Sequence, residues 1–226
     1  MSVPLFIPLA TALLLGSVHA LETDHMAAVS AFVARRPGTR AAIGFGARWA
    51  FGHGVAILLV GALLMALGLR LPQTGEPWLE RAAGLALVVV GVWTASGARA
   101  LHAHRHAHAD GTVHTHLHAH EGGIEQPHAE RHDHRHAVTA VGALHGLAGT
   151  APVLALLPLT DLHGPVAAGL YLVSFGVGTA LAMVMYALLA GWVAGRAAER
   201  STRIAQWIAR ATGFATALVG IVWILR

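Results

Sequence analysis

Long apolar runs constrain the fold of this 226-residue chain more than any other feature. An α-helix rises about 1.5 Å per residue, so about 20 apolar residues cross the roughly 30 Å hydrocarbon layer of a bilayer. Hydrophobic residues make up 55% of the chain and charged residues only 12%. The sequence therefore predicts an all-α integral membrane protein with six transmembrane helices, at residues 4–21, 42–69, 78–98, 138–158, 165–191 and 205–225.

The first apolar run is predicted to be a retained span and not a cleaved signal peptide. Residues 18–20 resemble a cleavage site, but no basic residue precedes Arg35, so the positively charged start of a signal peptide is missing. Residues 22–34 are expected either to continue this span or to re-enter the membrane beside it.

The chain contains no cysteine, which excludes a disulfide scaffold, a thiolate metal site and a thiol-based electron carrier. All 15 basic residues are arginine. A basic chain often binds nucleic acid, but these arginines flank apolar runs, so they report membrane topology instead. The expected surroundings are the lipid bilayer, and no nucleic acid is expected as a partner.

Three sequence anchors recur in the same order, at intervals of 126, 124 and 129 residues. Because each predicted unit holds three spans, a second copy must enter the membrane from the opposite side, which gives a 3+3 inverted repeat. Residues 1–98 form the first repeat and 137–226 the second. The matched anchors are 16–21 with 142–147, 50–54 with 174–178, and 78–91 with 207–220.

Arginine placement predicts the orientation of the chain. With the N-terminus outside, the inner loops carry ten arginines and the outer segments three. Both termini are therefore predicted to lie outside the cytoplasm, in a multi-pass protein of the bacterial inner membrane, and the connecting loop 99–136 is predicted to be cytoplasmic.

That loop contains 12 of the 17 histidines. Low-complexity histidine at alternate positions is expected to be disordered without metal and to chelate divalent ions. Sensing, buffering, delivery to the pore and a dispensable metal reservoir all remain open. The loop histidines are His102, His104, His106, His108, His114, His116, His118, His120, His128, His132, His134 and His136.

Four ionisable residues lie within seven positions at the end of the first run: His19, Glu22, Asp24 and His25. Burying such groups in a membrane is costly, so they are functional candidates, although they could instead form the polar end of a span. Imidazole and carboxylate together suit divalent ions such as Ni²⁺ and Co²⁺. On a regular helix Asp24 would point away from the other three, so either the helix unwinds or Asp24 orients a ligating histidine.

Two further histidines are candidate ligands. His53 lies between two glycines inside the second span, and His145 repeats His19 in a segment whose glycines and proline favour a broken helix. Either could instead be a buried structural histidine. Thr150 could add an oxygen ligand, and Asp161 and His163 are interpreted as solvated loop residues.

The motif His19-x4-Asp24-His25 resembles the signature of the nickel/cobalt transporter superfamily, and Gly52-His53 resembles its second motif. The segment 145–150 is similar to the small six-span branch of urease-accessory and nickel/cobalt efflux proteins. By this resemblance His19, Asp24, His25 and His53 would select the metal. The segment 148–151 lacks the acid of larger permeases, which leaves affinity and direction open.

The sequence thus predicts a non-enzymatic transporter of Ni²⁺, Co²⁺ or both, with no permanently bound cofactor. The His-rich loop resembles that of efflux members and favours export, whereas small urease-linked members resemble importers. Proton coupling is plausible because ligands lose protons on binding metal. A cytoplasmic metallochaperone is a candidate partner, and the oligomeric state is open. Rival hypotheses are an exporter of a small organic or sulfur-containing solute, a membrane metalloenzyme, and a metal-storage or chaperone module.

Overall fold

The computed structural model describes residues 5–67, 77–98, 101–107, 113–119, 135–148 and 164–225. Helices dominate this part of the chain, and one short pair of strands joins its two halves. The helices are α1 (Phe6–His19), α2 (Thr23–Arg35), α3 (Thr39–Leu67), α4 (Pro77–Gly97), α5 (Arg135–Leu147), α6 (Pro165–Arg200) and α7 (Thr202–Ile224), and the strands are β1 (Leu101–Ala107) and β2 (Val113–Ala119).

Four helices of the described residues, α3, α4, α6 and α7, are long and apolar enough to cross a membrane. The pair α1 and α2 is apolar enough to count as a fifth span, but it bends by 58° at its break. A multi-pass helical membrane protein is therefore confirmed. The predicted span 138–158 coincides with the short apolar helix Val138–Leu147, and its remainder beyond residue 148 lies outside the described residues.

The break between α1 and α2 has a clear backbone cause. The N–H groups of Leu21 and Glu22 bond to carbonyls three residues back, at 3.0 Å each, which tightens the last turn of α1. Glu22 then adopts an extended conformation, with φ −65° and ψ 152°, and its carbonyl accepts the first hydrogen bond of α2 from Met26. The interrupted helix is one of the two sequence-based alternatives for Asp24, and it is observed. The other alternative is compatible with it, because Asp24 also lies beside His25.

Close helix contacts recur at an interval of 126 residues. Gly16 of α1 packs directly on the carbonyl oxygen of Phe175 in α6, and Gly142 of α5 packs in the same way on Trp49 of α3. Any side chain at these glycines would overlap the facing backbone. The two contacts correspond residue by residue, because 142 follows 16, and 175 follows 49, by 126 positions.

A second pair of contacts has the same interval. Gly178 packs on the carbonyl of Leu13, and Gly52 packs on the carbonyl of Thr139. The sequence comparison aligned this region at an interval of 124 and matched Gly52 with Gly176. The helix contacts favour a register two residues away, in which Gly52 corresponds to Gly178 and Gly54 to Ala180. That register superposes only one glycine, so the Gly-x-Gly pattern of the sequence favours the other one.

The helices α4 and α7 pack antiparallel through glycines of both. Gly84 lies against Gly220, and Gly91 lies against Gly213. Small residues let the two backbones approach closely, as is common between helices in membranes.

Two apolar clusters lie toward opposite ends of α3 and α6. These helices are antiparallel, since Gly46 packs on Ala187 and Gly191 packs on Ala42. The Trp49 cluster consists of Ala28, Val29, Val33, Ala42, Phe45, Trp49, Ala50, Leu87, Met183, Ala187 and Ala194. The Phe175 cluster consists of Ala12, Ile57, Tyr171, Leu172 and Phe175.

The strands β1 and β2 correct the expectation that the His-rich loop lacks regular structure. They form an antiparallel pair in which His102 pairs with His118, His104 with His116, and His106 with His114. Histidine at every second position has the period of a β-strand, which explains why these stretches pair. Of the other loop histidines, His136 lies in α5, and His108, His120, His128, His132 and His134 lie outside the described residues.

Candidate functional site

The structure brings together all six of the intramembrane residues that the sequence singled out. His19 ends α1, Glu22 lies in the break, and Asp24 and His25 occupy the first turn of α2. His53 lies in the middle of α3 and His145 in the last turn of α5. The four histidines and Asp24 are at most 3% exposed, and Glu22 at the edge is partly exposed.

Three of the imidazoles converge on one point. The Nε2 atoms of His19 and His53 are 3.3 Å apart, and one ring nitrogen from each of His19, His25 and His53 lies within 4.8 Å of the other two. The ring of His145 stands 5.8 Å from that of His25 and completes the group. We call these four residues the histidine cluster.

The two carboxylates face the cluster. Oε1 of Glu22 lies 3.0 Å from Nδ1 of His19, and Oδ2 of Asp24 lies 3.1 Å from Nδ1 of His25. The same Asp24 oxygen is 3.9 Å from Nε2 of His145. These are ion-pair distances, and neither Nδ1 forms a hydrogen bond of good geometry in the described residues. Negative charge beside each Nδ1 still favours the proton on that nitrogen and leaves the Nε2 lone pair available for a metal.

A backbone carbonyl orients His145, whereas carboxylates lie beside Nδ1 of His19 and His25. Its Nδ1 lies 3.3 Å from the carbonyl oxygen of Val141, one turn earlier in α5. Within the described residues its Nε2 has no hydrogen-bond partner, and the same is true of Nε2 of His25 and Nδ1 of His53. Unpaired nitrogens in the membrane interior are costly, so a cluster that leaves them free is suited to a ligand that binds them.

Aromatic rings cover the cluster from two directions. Phe175 stacks on His19 with ring centroids 5.7 Å apart, and Trp49 lies 4.9 Å from His145. Each aromatic residue belongs to one of the two apolar clusters. The histidine cluster is therefore enclosed between the Trp49 cluster and the Phe175 cluster.

Sequence reasoning missed Thr179, a buried residue of α6 that bonds to the backbone of α1 and of its own helix. Its hydroxyl lies 3.1 Å from the carbonyl oxygen of Gly16 and 3.0 Å from that of Phe175. Thr179 follows His53 by 126 residues, the interval that also relates the glycine contacts, and this spacing is the signal that could have found it. Thr150, Asp161 and His163 lie outside the described residues.

The helices and the buried polar cluster define a multi-pass membrane protein with ionisable groups in its interior, a class in which such groups mark ion or proton pathways. The comparison with known families places it more narrowly. The chain belongs to the family described as the cytochrome c biogenesis protein transmembrane region, which it matches over residues 9–221.

Three curated relatives cover most of this chain. The urease accessory protein UreH of Bacillus sp. (strain TB-90) is 28% identical over 211 residues, which is 92% of this chain and 86% of the relative. The chloroplast proteins FOR GROWTH AND FERTILITY 2 and 1 of Arabidopsis thaliana are 26% and 28% identical over 91% and 87% of this chain. The chain spans about half, 53%, of each chloroplast protein. No solved structure matches significantly.

The relative from Bacillus confirms the predicted resemblance to the urease-accessory branch. The family description points elsewhere, to cytochrome c biogenesis. Thiol–disulfide exchange requires a cysteine thiolate, and this chain has no cysteine. These 226 residues therefore supply no thiolate for such an exchange.

Proposed function

We propose that the protein is a membrane transporter of divalent transition-metal cations, Ni²⁺, Co²⁺ or both, and not an enzyme. The observation that carries the proposal is the histidine cluster with its two carboxylates, buried among membrane-spanning helices. Similarity to a protein named as a urease accessory protein supports the same conclusion, since the sequence motifs resemble the nickel/cobalt superfamily to which that branch belongs.

The geometry fits a first-row divalent ion carried as substrate. Nitrogen–metal bonds of about 2.1 Å allow two ligand nitrogens to be as far as about 4.2 Å apart. The 3.3 Å between His19 and His53 lies within that limit. One divalent cation would also balance two ionised carboxylates, Glu22 and Asp24, which are otherwise costly to hold beside each other in a membrane.

The proposed architecture is six spans in a 3+3 inverted repeat. It is supported by the reciprocal glycine contacts at an interval of 126. The contacts of Gly84 with Gly220 and of Gly91 with Gly213 also support it, because a shift of 129 residues takes Gly84 to Gly213 and Gly91 to Gly220, so each contact becomes the other. His19 and His145 are then equivalent residues that meet at one site near the middle of the membrane. Only the first repeat supplies the acids, so it would select the ion.

In this proposal the protein lies in the bacterial inner membrane with both termini outside, as the arginine distribution indicates. Export is the direction that the His-rich segment favours. Metal binding displaces protons from imidazole and carboxylate ligands, so a proton gradient can drive release.

The rival functions have less support from the site. An exporter of a small organic or sulfur-containing solute has no need for four buried imidazoles. A metal-storage or chaperone module would use the His-rich segment alone and leaves the cluster without a role. A metalloenzyme would require a substrate route to the ion, and the described cluster is enclosed by aromatic residues.

Cellular metal content tests both the function and its direction. Expression of the chain in cells exposed to Ni²⁺ or Co²⁺ is expected to lower their content if it exports and to raise it if it imports. The double variant His19→Ala, His53→Ala should restore the content of cells without the gene, because it removes both nitrogens of the 3.3 Å pair. Unchanged content in all of these cells, with the protein present in the membrane, would contradict the proposal.

We also propose that the histidines of β1 and β2 bind metal. The register places three histidine pairs at directly opposite positions of the two strands. Replacing these six histidines by glutamine is expected to reduce the Ni²⁺ bound per chain, measured by equilibrium dialysis, while flux persists. Deletion of 102–136 should likewise preserve flux. Loss of flux in either variant would instead make the segment part of the transport path.

A further inference from the structure

Two aromatic pairs, one in each half of the chain, have the same spacing and corresponding positions. Phe45 and Trp49 lie one turn apart on α3, and Tyr171 and Phe175 lie one turn apart on α6. Each residue of the second pair follows its counterpart by 126 positions, the interval of the glycine contacts. All four side chains are buried, at no more than 8% exposure.

Each pair covers a different histidine of the cluster. Trp49 lies 4.9 Å from His145, and Phe175 lies 5.7 Å from His19. His145 follows His19 by the same 126 residues. The two aromatic–histidine contacts are therefore the same contact made once by each half of the chain.

The pairs also belong to opposite ends of the molecule. Phe45 and Trp49 are in the Trp49 cluster, toward the start of α3, whereas Tyr171 and Phe175 join Ile57 in the Phe175 cluster, toward its end. His53 lies on α3 between Trp49 and Ile57, four residues from each. Each direction along α3 away from the histidine cluster is therefore lined by one of the two pairs.

Each pair also contains one polar atom without a hydrogen-bond partner in the described part of the chain, Nε1 of Trp49 and the hydroxyl of Tyr171. A buried unpaired donor is unfavourable, and water that enters as the pair moves aside would satisfy it. When either pair opens, the new hydrogen bond to water therefore offsets part of the free energy lost with the apolar packing.

We propose that these aromatic pairs are the two gates of the transporter, Phe45 with Trp49 on one side of the membrane and Tyr171 with Phe175 on the other. This inference rests on the proposed transport function and adds the residues that control access. With both pairs packed, the structure is the occluded state. Because the gates are built alike, the states open to either side can have similar energies, as alternating access requires.

The absence of cysteine makes the gates directly testable. A single cysteine at Ala20, a buried position next to His19, reports access to the site through its reaction with a charged, membrane-impermeant thiol reagent. The 226-residue protein is prepared separately in right-side-out and in inside-out sealed vesicles. The reagent is added only to the outer solution of each preparation, without metal. Trp49→Ala should raise the reaction rate about tenfold from one side, and Phe175→Ala about tenfold from the other.

The matched control is Phe51→Ala, since Phe51 lies on the same helix as Trp49 but is 67% exposed. It should leave the rate unchanged from both sides. Leucine at either position preserves more of the apolar packing than alanine does. Trp49→Leu and Phe175→Leu should therefore give smaller increases in the reaction rate, each from the same side as the alanine variant. Three outcomes would overturn the proposal of two gates. They are a faster reaction from the same side in both variants, an equal reaction from both sides, and no increase in any variant. Because no metal is present, this result is independent of whether Ni²⁺ is the transported ion.

Discussion

Replacing His25 with alanine is expected to weaken Ni²⁺ binding at the membrane site by more than about 100-fold, since even residues that only orient a metal ligand contribute about 10- to 100-fold. A ring nitrogen of His25 lies within 4.8 Å of nitrogens of His19 and His53, and His25 also lies within 4.8 Å of the carboxylates of Glu22 and Asp24. Its removal therefore takes a ligand from both groups at once. Calorimetric titration measures the affinity, in a protein whose 12 loop histidines are replaced by glutamine so that only the membrane site is titrated.

Ser30→Ala is the matched control for that titration. Ser30 lies on the same helix, more than one turn from His25, and its hydroxyl bonds to Tyr186 at 2.6 Å and not to the cluster. Its loss should leave the Ni²⁺ affinity within about twofold, because it is not a ligand. If His25→Ala and Ser30→Ala bind Ni²⁺ equally well, the histidine cluster is not the metal site.

A single added methyl group is expected to destabilise the fold at Gly52 and at Gly178. A β-carbon there would overlap the carbonyl of Thr139 or of Leu13, and backbone cannot move aside as a flexible side chain can. Overpacking of this kind costs about 1–3 kcal/mol or more. Gly52→Ala and Gly178→Ala should therefore unfold in detergent at clearly lower temperature than the wild-type protein, measured by the fraction that stays monodisperse after heating.

The neighbouring glycines provide controls of opposite sign. A β-carbon at Gly54 or Gly176 meets nothing within 4 Å. Alanine is favoured over glycine inside a helix by about 0.5–1 kcal/mol, so Gly54→Ala and Gly176→Ala should be as stable as wild type or more so. If all four variants lose stability equally, the helix contacts at an interval of 126 are not as described.

Much of the fold follows from the sequence because membrane spans are determined by local composition. The helices α3, α4, α6 and α7 begin and end within a few residues of the predicted runs, except that α6 continues to Arg200. The break at Glu22 depends on how a few peptide groups bond, which composition does not determine. The alternation of His102, His104 and His106 has low complexity, which favours disorder, and also the period of a strand, which the structure shows.

The members of the candidate site were predictable because ionisable groups are rare in membrane spans. The residues around these groups were not predictable, since Trp49, Phe175 and Thr179 look like ordinary core residues in a largely hydrophobic chain. The interval of 126 residues that relates Trp49 to Phe175, and His53 to Thr179, is also the interval of the glycine contacts between helices, which a single sequence does not contain.

Ion flux in liposomes tests the central claim most directly. The purified protein is reconstituted with a metal-sensitive dye inside, and Ni²⁺ or Co²⁺ is added outside with and without a pH gradient. We predict saturable entry of either ion or both, with no comparable entry of Mg²⁺, whose preference for oxygen ligands does not match imidazole. Flux of both ions no faster than in protein-free liposomes, under every gradient, would contradict the assignment of this protein as a transition-metal transporter.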